Sequence, residues 1–82
     1  MKEKTIKHLL GVFLNKYGRA YVHYLLGSYT EYVVRNGKLY SRYNGDKHKE
    51  VKIGRMDDSN IMEKINLSLL GVSGVSFNKE QQ

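Results

Sequence analysis

The chain has 82 residues, a net charge of +6 at pH 7, a sequence pI near 9.6 and no cysteine. This length supports one domain with a thin core, and the lack of cysteine excludes disulfides, thiol nucleophiles and thiolate metal sites. The longest apolar stretch, residues 21–26, contains His23 and is too short to span a bilayer, so we expect a cytoplasmic protein without a membrane partner.

Positive charge is concentrated in two parts of the chain. Residues 35–55 hold seven Lys/Arg against Asp46 and Glu50, and residues 2–19 hold five against Glu3, whereas the balance from Asp57 onward is negative. A concentrated positive field attracts polyanions by releasing their counterions. The alternative is a basic surface that serves solubility alone.

The first predicted element is an amphipathic helix over 3–17, in which Ile6, Leu10 and Phe13 follow a helical repeat and Gly18 ends the helix. Residues 19–27 are ambiguous. Their apolar side chains could continue the helical stripe, but their β-prone content and the Gly27-Ser28 turn signal slightly favour a strand.

A β-hairpin follows, with strands at 29–35 and 38–43 joined by Asn36-Gly37. Asn-Gly is the strongest short-range hairpin signal because both residues tolerate the positive φ of a type I′ turn. The two-residue turn predicts pairs such as Arg35 with Lys38 and Glu31 with Arg42. A three-residue loop at 44–46 then leads to a third strand at 48–53, which would pair Leu39 with Val51 and Arg42 with His48.

The predicted register sorts the side chains of this meander onto two faces, since side chains alternate along a strand. One face would be apolar and would carry Thr30, Tyr32, Val34, Leu39, Tyr43, Val51 and Ile53. The other would be basic and would carry Arg35, Lys38, Arg42, His48 and Lys52, with Tyr29, Val33 and Tyr40 among them.

A second helix is predicted over 58–70. Asp57-Asp58-Ser59 is typical of a helix start, Ile61, Ile65 and Leu69 would form the buried stripe, and Gly71 would end it. The tail, 71–82, would add a short edge strand at Val72–Phe77 or pack Val75 and Phe77 against the core. The sequence therefore predicts an α+β fold in one domain: an N-terminal helix, a three- to four-stranded antiparallel meander sheet and a C-terminal helix.

This α-β-β-β-α order resembles the double-stranded-RNA-binding domain and small RNA-cleaving toxins built on the same scaffold. The second predicted helix departs from that domain because it begins with Asp57 and Asp58 rather than with a lysine cluster. A Gly-Ser pair occurs at 27–28, but Tyr29 stands where such toxins typically carry a histidine.

The basic face is the predicted binding site. Aromatic rings that stack on bases and cations that follow the backbone are the means by which single-stranded nucleic acid is bound. The predicted nucleic-acid-binding residues are Tyr29, Arg35, Lys38, Tyr40, Arg42, His48 and Lys52. The alternative is that the two tyrosines are ordinary cross-strand packing partners and that Glu31–Arg42 is a weak surface ion pair.

No catalytic or metal site is predicted. His48 and Glu50 would share a sheet face, but the sequence offers them no third ligand and no nucleophile. We therefore expect a non-enzymatic nucleic-acid-binding module without a cofactor.

Two other functions stay open from the sequence. One is a protein-interaction or inhibitor protein, of the kind that phages and mobile elements encode, whose Tyr/Arg-rich surface binds an acidic partner. The other is a small RNA-cleaving toxin. Val12, Leu14, Val22 and Leu26 also lie off the best core stripe, and their exposure together would favour a homodimer or a docked partner.

Overall fold

The N-terminal helix is present as predicted. The computed structural model describes residues 2–67 and 71–78, and α1 spans Glu3–Tyr17. Ile6, Leu10 and Leu14 are its buried residues, which lie on one face because they are four residues apart. Gly18 ends the helix in the left-handed conformation (φ 75°), and its N–H donates to the carbonyl of Leu14.

Five antiparallel strands of the described residues form one sheet. They are β1 (Arg19–Tyr24), β2 (Tyr29–Arg35), β3 (Lys38–Tyr43), β4 (Val51–Arg55) and β5 (Val72–Ser76), in the spatial order β4-β3-β2-β1-β5. The α+β class is confirmed, but the prediction of three to four strands was too low. The ambiguous residues 19–27 contribute β1 and the turn after it, and the tail contributes β5 as an edge strand.

The hairpin register around Asn36-Gly37 is confirmed. Both residues have positive φ, 52° and 74°, as a type I′ turn requires. Arg35 pairs with Lys38, and Glu31 pairs with Arg42. The first two strands of the meander therefore present the side chains that the sequence assigned to each face.

The predicted third strand at 48–53 begins too early. Residues Lys47–Lys49 form a short 3-10 helix, η1, because the carboxylate of Asp46 accepts the N–H of His48 at 2.9 Å and closes a tight turn. The strand itself starts at Val51, and its register with β3 shifts between Leu39 and Tyr40. As a result, Leu39 pairs with Gly54 rather than with Val51, and His48 has left the position opposite Arg42.

The predicted helix over 58–70 was wrong in the described part of that range, and 68–70 lie outside it. A single 3-10 turn, η2 (Ile61–Lys64), occupies the segment, and Ile65 is already extended. The Asp58 carboxylate accepts the N–H of Asn60 and binds the ammonium of Lys64, so local side-chain contacts hold a tight turn. The described part of 58–70 thus lacks the α-helix on which the resemblance to the double-stranded-RNA-binding domain depended.

The core lies between one face of the sheet and the layer formed by α1 and η2. Its fully or nearly buried members are Ile6, Leu10, Leu14, Ala20, Val22, Tyr32, Leu39, Ile61 and Ile65. Of the predicted apolar face, Tyr32 and Leu39 are buried and Val34 and Ile53 pack against them, but Tyr43 and Val51 are 47% and 58% exposed. Both helical elements pack on this side, so the charged side chains of the strands lie on the opposite side of the sheet.

Candidate nucleic-acid interface

The open face is the side of the sheet opposite α1 and η2. Strand alternation places on it the residues that alternate with the core residues of each strand, and the cross-strand partners are in register. On β1, Tyr21 and His23 are buried on this side of the sheet as well. On β1 to β4 its strand residues are Arg19, Tyr21, His23, Tyr29, Glu31, Val33, Arg35, Lys38, Tyr40, Arg42, Lys52 and Arg55. Six of these are Lys or Arg and one is Glu, so the face is positively charged.

Five of the seven predicted binding residues lie close together on this face. Lys38 is the partner of Arg35, and Tyr40 lies between Val33 and Lys52 in one cross-strand row, which Arg19 extends on β1. Arg42 occupies the next row. Tyr29 shares the face but lies at its other end, where its N–H and its hydroxyl both bind Asn44.

His48 does not belong to this group, which corrects the prediction. It lies in η1, outside the strands, with its backbone N–H bound to Asp46. Glu50 takes the place beside Arg42 that was predicted for His48. The presence of a carboxylate where an imidazole was expected changes the electrostatics of the face.

A charged network crosses the open face. Glu50 accepts two hydrogen bonds from Arg35, at 3.1 and 2.8 Å, and one from Nε of Arg42 at 2.8 Å. Nη1 of Arg42 lies 3.7 Å from Oε1 of Glu31, whose other oxygen accepts the hydroxyl of Tyr21 at 3.0 Å. The network therefore joins four strands or their ends, and it neutralises part of the charge of Arg35 and Arg42.

Hydrogen bonds lower the pKa of the Glu50 carboxyl to about 2; the bonds from Arg35 have the larger effect and the bond from Arg42 the next largest. The hydrogen bond to Glu50 in turn raises the pKa of Arg35. Glu50 is therefore ionised at any physiological pH. Lys38, Lys52 and Arg19 have no ion-pair partner among the described residues and are exposed, so they are the cations of this face most available to a ligand.

Arg35 also stacks on Tyr40. Its guanidinium carbon lies 4.3 Å from the centroid of the ring. The stacking and the two bonds to Glu50 fix the guanidinium plane at the centre of the face. A cation therefore lies over the Tyr40 ring, which is not a bare aromatic platform.

A polar pocket of about 500 Å³ adjoins the network at the β1 end of the face. It is lined by Arg19, Tyr21, Tyr29, Glu31, Arg42, Gly45, Phe77 and Asn78. The turn at 44–46 forms one wall, where the Tyr29 hydroxyl lies close to Gly45. Tyr21 is only 5% exposed, and burial, followed by the hydrogen bond to Glu31, raises the pKa of its hydroxyl.

Sequence reasoning missed most of this pocket. Arg19 and Tyr21 belong to the ambiguous segment 19–27, and a strand assignment there would have placed both on the basic face by simple alternation. Phe77 and Asn78 reach the pocket only because β5 pairs with β1. This pairing joins distant parts of the chain: His23 and Ser76, which contact each other across it, are 53 residues apart in the sequence. No local pattern indicates such a pairing.

His23 and Ser76 form a buried pair that does not have the geometry of a nucleophile and its base. Nε2 of His23 lies 2.7 Å from Oγ of Ser76, whose hydroxyl donates to the carbonyl oxygen of Asn78. Since that hydroxyl proton is already used, the imidazole must donate its own N–H to Oγ, and it cannot act as a base toward Ser76. Burial lowers the pKa of His23, which keeps the ring neutral. The pair ties β5 to β1.

The described residues hold neither a metal-ligand cluster nor a membrane-spanning helix. Among residues 2–67 and 71–78, no three His, Asp or Glu side chains come together as metal ligands. In the same residues, no helix is long and apolar enough to cross a membrane.

The apolar residues named for a dimer or a partner are not exposed together. Leu14 and Val22 are buried in the core, whereas Val12 is 44% and Leu26 98% exposed. Leu26 instead lies beside Leu25 in the turn between β1 and β2, next to Tyr24 and Tyr43. The homodimer stays a prediction, but these four residues do not form the shared apolar surface on which it was based.

Comparison of the chain with models of known protein families, with curated proteins and with solved structures gave no match. The geometry and charge of the open face are therefore the features from which a function can be inferred.

Proposed function

We propose that this protein is a non-enzymatic module that binds single-stranded nucleic acid on its open face. The observation that carries the proposal is the position of the helical layer: α1 and η2 contribute their buried residues to the opposite side of the sheet, which leaves six cations on the side that this layer does not cover, with the rings of Tyr29 and Tyr40 among them. A sheet face with rings and cations suits a single strand, whose bases are free to stack. It suits a duplex less well, because a duplex is recognised by elements that enter a groove.

The cations divide into two roles. Lys38, Lys52 and Arg19 would contact phosphates, since they are exposed and hold no carboxylate in the described residues. Arg35, stacked on Tyr40, would offer its guanidinium plane to a base, a surface on which unstacked bases commonly rest. Affinity would be mostly electrostatic and would fall steeply with salt.

The test is the salt dependence of binding to a labelled, random-sequence single-stranded oligonucleotide, measured by fluorescence anisotropy. The double variant Lys38→Glu/Lys52→Glu should bind far more weakly. The slope of log K against log salt should become shallower by about 0.7 for each phosphate that the variant no longer neutralises. The matched control is Lys2→Glu/Lys4→Glu, which makes the same charge change at the start of α1, on the other layer.

The control should retain most of the affinity of the native protein. Equally weakened binding in both variants would show that net charge, rather than the open face, governs binding. Unchanged binding by Lys38→Glu/Lys52→Glu, or no binding by the native protein, would remove the proposal.

A second candidate is recognition, by the same face, of a protein surface that is predominantly acidic but also carries basic groups. The observation that favours it is the pair of carboxylates, Glu31 and Glu50, among the arginines, because a pattern of both signs can match a protein partner that also carries both signs. The variant Glu50→Gln separates the two candidates. It removes the charge that pairs with Arg35 and one of the two charges that pair with Arg42, so nucleic-acid affinity should rise severalfold, whereas a partner that uses the Glu50 carboxylate should bind more weakly.

A further inference from the structure

The pocket beside the charged network has the size and chemistry of a small-ligand site. Its volume of about 500 Å³ lies within the range of pockets that hold small molecules. Three aromatic side chains, Tyr21, Tyr29 and Phe77, contribute to its lining, and the rings of Tyr21 and Tyr29 meet edge to face with centroids 5.8 Å apart. A flat aromatic ligand would find apolar contact there.

The polar groups of the pocket include one carboxylate and two guanidiniums. Glu31 is held on both sides: Tyr21 donates to Oε2 at 3.0 Å, and Nη1 of Arg42 lies 3.7 Å from Oε1. A carboxylate has about four acceptor positions. The bond from Tyr21 uses one position on Oε2, and the 3.7 Å contact with Arg42 is an ion pair rather than a hydrogen bond. As far as the described residues show, each oxygen can therefore accept a further hydrogen bond from a ligand.

Two adjacent acceptors on one carboxylate match a ligand edge with two adjacent N–H donors. Among the common bases only guanine has such a Watson–Crick edge in its neutral form, with N1–H beside the N2 amino group. Adenine and cytosine present one donor beside an acceptor, and uracil and thymine present one donor between two acceptors. Bases of a single strand are read on this edge when they are turned out from the stack.

We propose that the pocket receives one guanine base of the bound strand, with Glu31 accepting its N1–H and N2–H. This inference rests on the proposed function, since the open face brings the strand to the pocket. Arg19 lines the pocket and also lies in the row of Val33 and Tyr40, where it can contact the phosphate of the same nucleotide. Tyr21 and Arg42 are positioning residues, since they orient the carboxylate.

The experiment compares labelled oligothymidine strands that carry a single guanine, hypoxanthine or adenine at the central position. Hypoxanthine is guanine without the N2 amino group, so it tests one predicted hydrogen bond and needs no change in the protein. The native protein should bind the guanine strand about fivefold more tightly than the hypoxanthine strand, the fold-change that corresponds to the typical net contribution of one hydrogen bond. The adenine strand should bind no better than oligothymidine.

The variant Glu31→Gln places an amide donor against a guanine donor and should bind the three strands alike. The control, Glu63→Gln on η2, removes the same charge from an exposed position on the other layer and should keep the preference for guanine. Retention of the preference by a folded Glu31→Gln protein would overturn the assignment of Glu31. If that variant does not fold, the strand comparison with the native protein decides alone.

The outcomes separate this inference from the function beneath it. Equal, salt-dependent binding of all strands by the native protein would overturn the guanine pocket and leave the open face as a general binding surface. No binding of any strand would overturn the proposed function and the guanine pocket with it.

Discussion

Glu50 controls how much positive charge the open face presents. Its carboxylate binds two arginines from different strands, and one of them also stacks on Tyr40. Such a bidentate pair is more ordered than an ordinary surface ion pair, whose contribution to stability is small. The same carboxylate thus orders the guanidiniums and reduces their attraction for a polyanion.

The lowered pKa of Glu50 predicts a pH dependence of stability. The value is about 2 in the folded chain against an ordinary 4.5, so the unfolded chain takes up the proton first as the pH falls. The stabilisation is complete above about pH 5 and is lost as the pH falls toward 2. Urea denaturation across this range should show a smaller decline in stability for Glu50→Gln than for the native protein, and identical profiles would contradict the geometry of the network.

Ser76 has a structural role that can be measured. The change Ser76→Ala leaves the buried N–H of His23 without its acceptor, which should lower the free energy of unfolding by about 1–3 kcal/mol. Ser73→Ala, at an exposed position in the same strand, should change it by less than about 0.5 kcal/mol. Similar values for the two variants in denaturant unfolding would mean that the His23–Ser76 bond contributes nothing.

At the scale of elements, two glycines should respond in opposite ways to replacement by alanine: Gly11 within α1 and Gly18 directly after it. Gly18 has φ 75°, which costs a side-chain-bearing residue about 1–2 kcal/mol, so Gly18→Ala should destabilise the chain by that amount. Gly11 lies inside the helix, where an added Cβ would meet only the side chain of Met62, at 3.6 Å or more. Gly11→Ala should therefore stabilise by roughly 0.5–1 kcal/mol. Thermal melting that reversed this order would contradict the end of α1 at Gly18.

The elements that local sequence determines are the ones that could be predicted. α1 has a clear helical repeat and a terminal glycine, and the hairpin has its Asn36-Gly37 turn, so both bounds and register follow from residues close in the chain. In contrast, Asp46 and Asp58 each divert the chain into a 3-10 turn through their side chains. Aspartate is common both in loops and at the starts of helices, so the sequence pattern alone could not distinguish a 3-10 turn from these structures.

Part of the candidate site could be predicted because that part also depends on residues close together in the sequence. Arg35, Lys38, Tyr40 and Arg42 come from the hairpin and lie where its register placed them. The charged network could not be predicted, because Glu50 reaches Arg42 only after the shift in the third strand. The pocket depends on β5, which joins the sheet through tertiary pairing alone.

For the whole molecule, the two layers explain why charge and apolar surface are separated. The helical layer and one sheet face bury the core, and the other face carries most of the cations of the strands. The proposed binding function depends on this separation more than on any single residue. A ligand should therefore contact one side of the sheet and leave the outer surface of α1 free.

The most direct test is an NMR titration of the isotopically labelled protein with a single-stranded oligonucleotide at low salt. We predict that the largest shifts will occur at Arg19, Lys38, Lys52 and the Tyr40 ring, with exposed residues of α1 such as Lys4 and Val12 nearly unchanged. Shifts concentrated on α1, or no shifts at saturating oligonucleotide, would contradict the assignment of the open face as the binding surface.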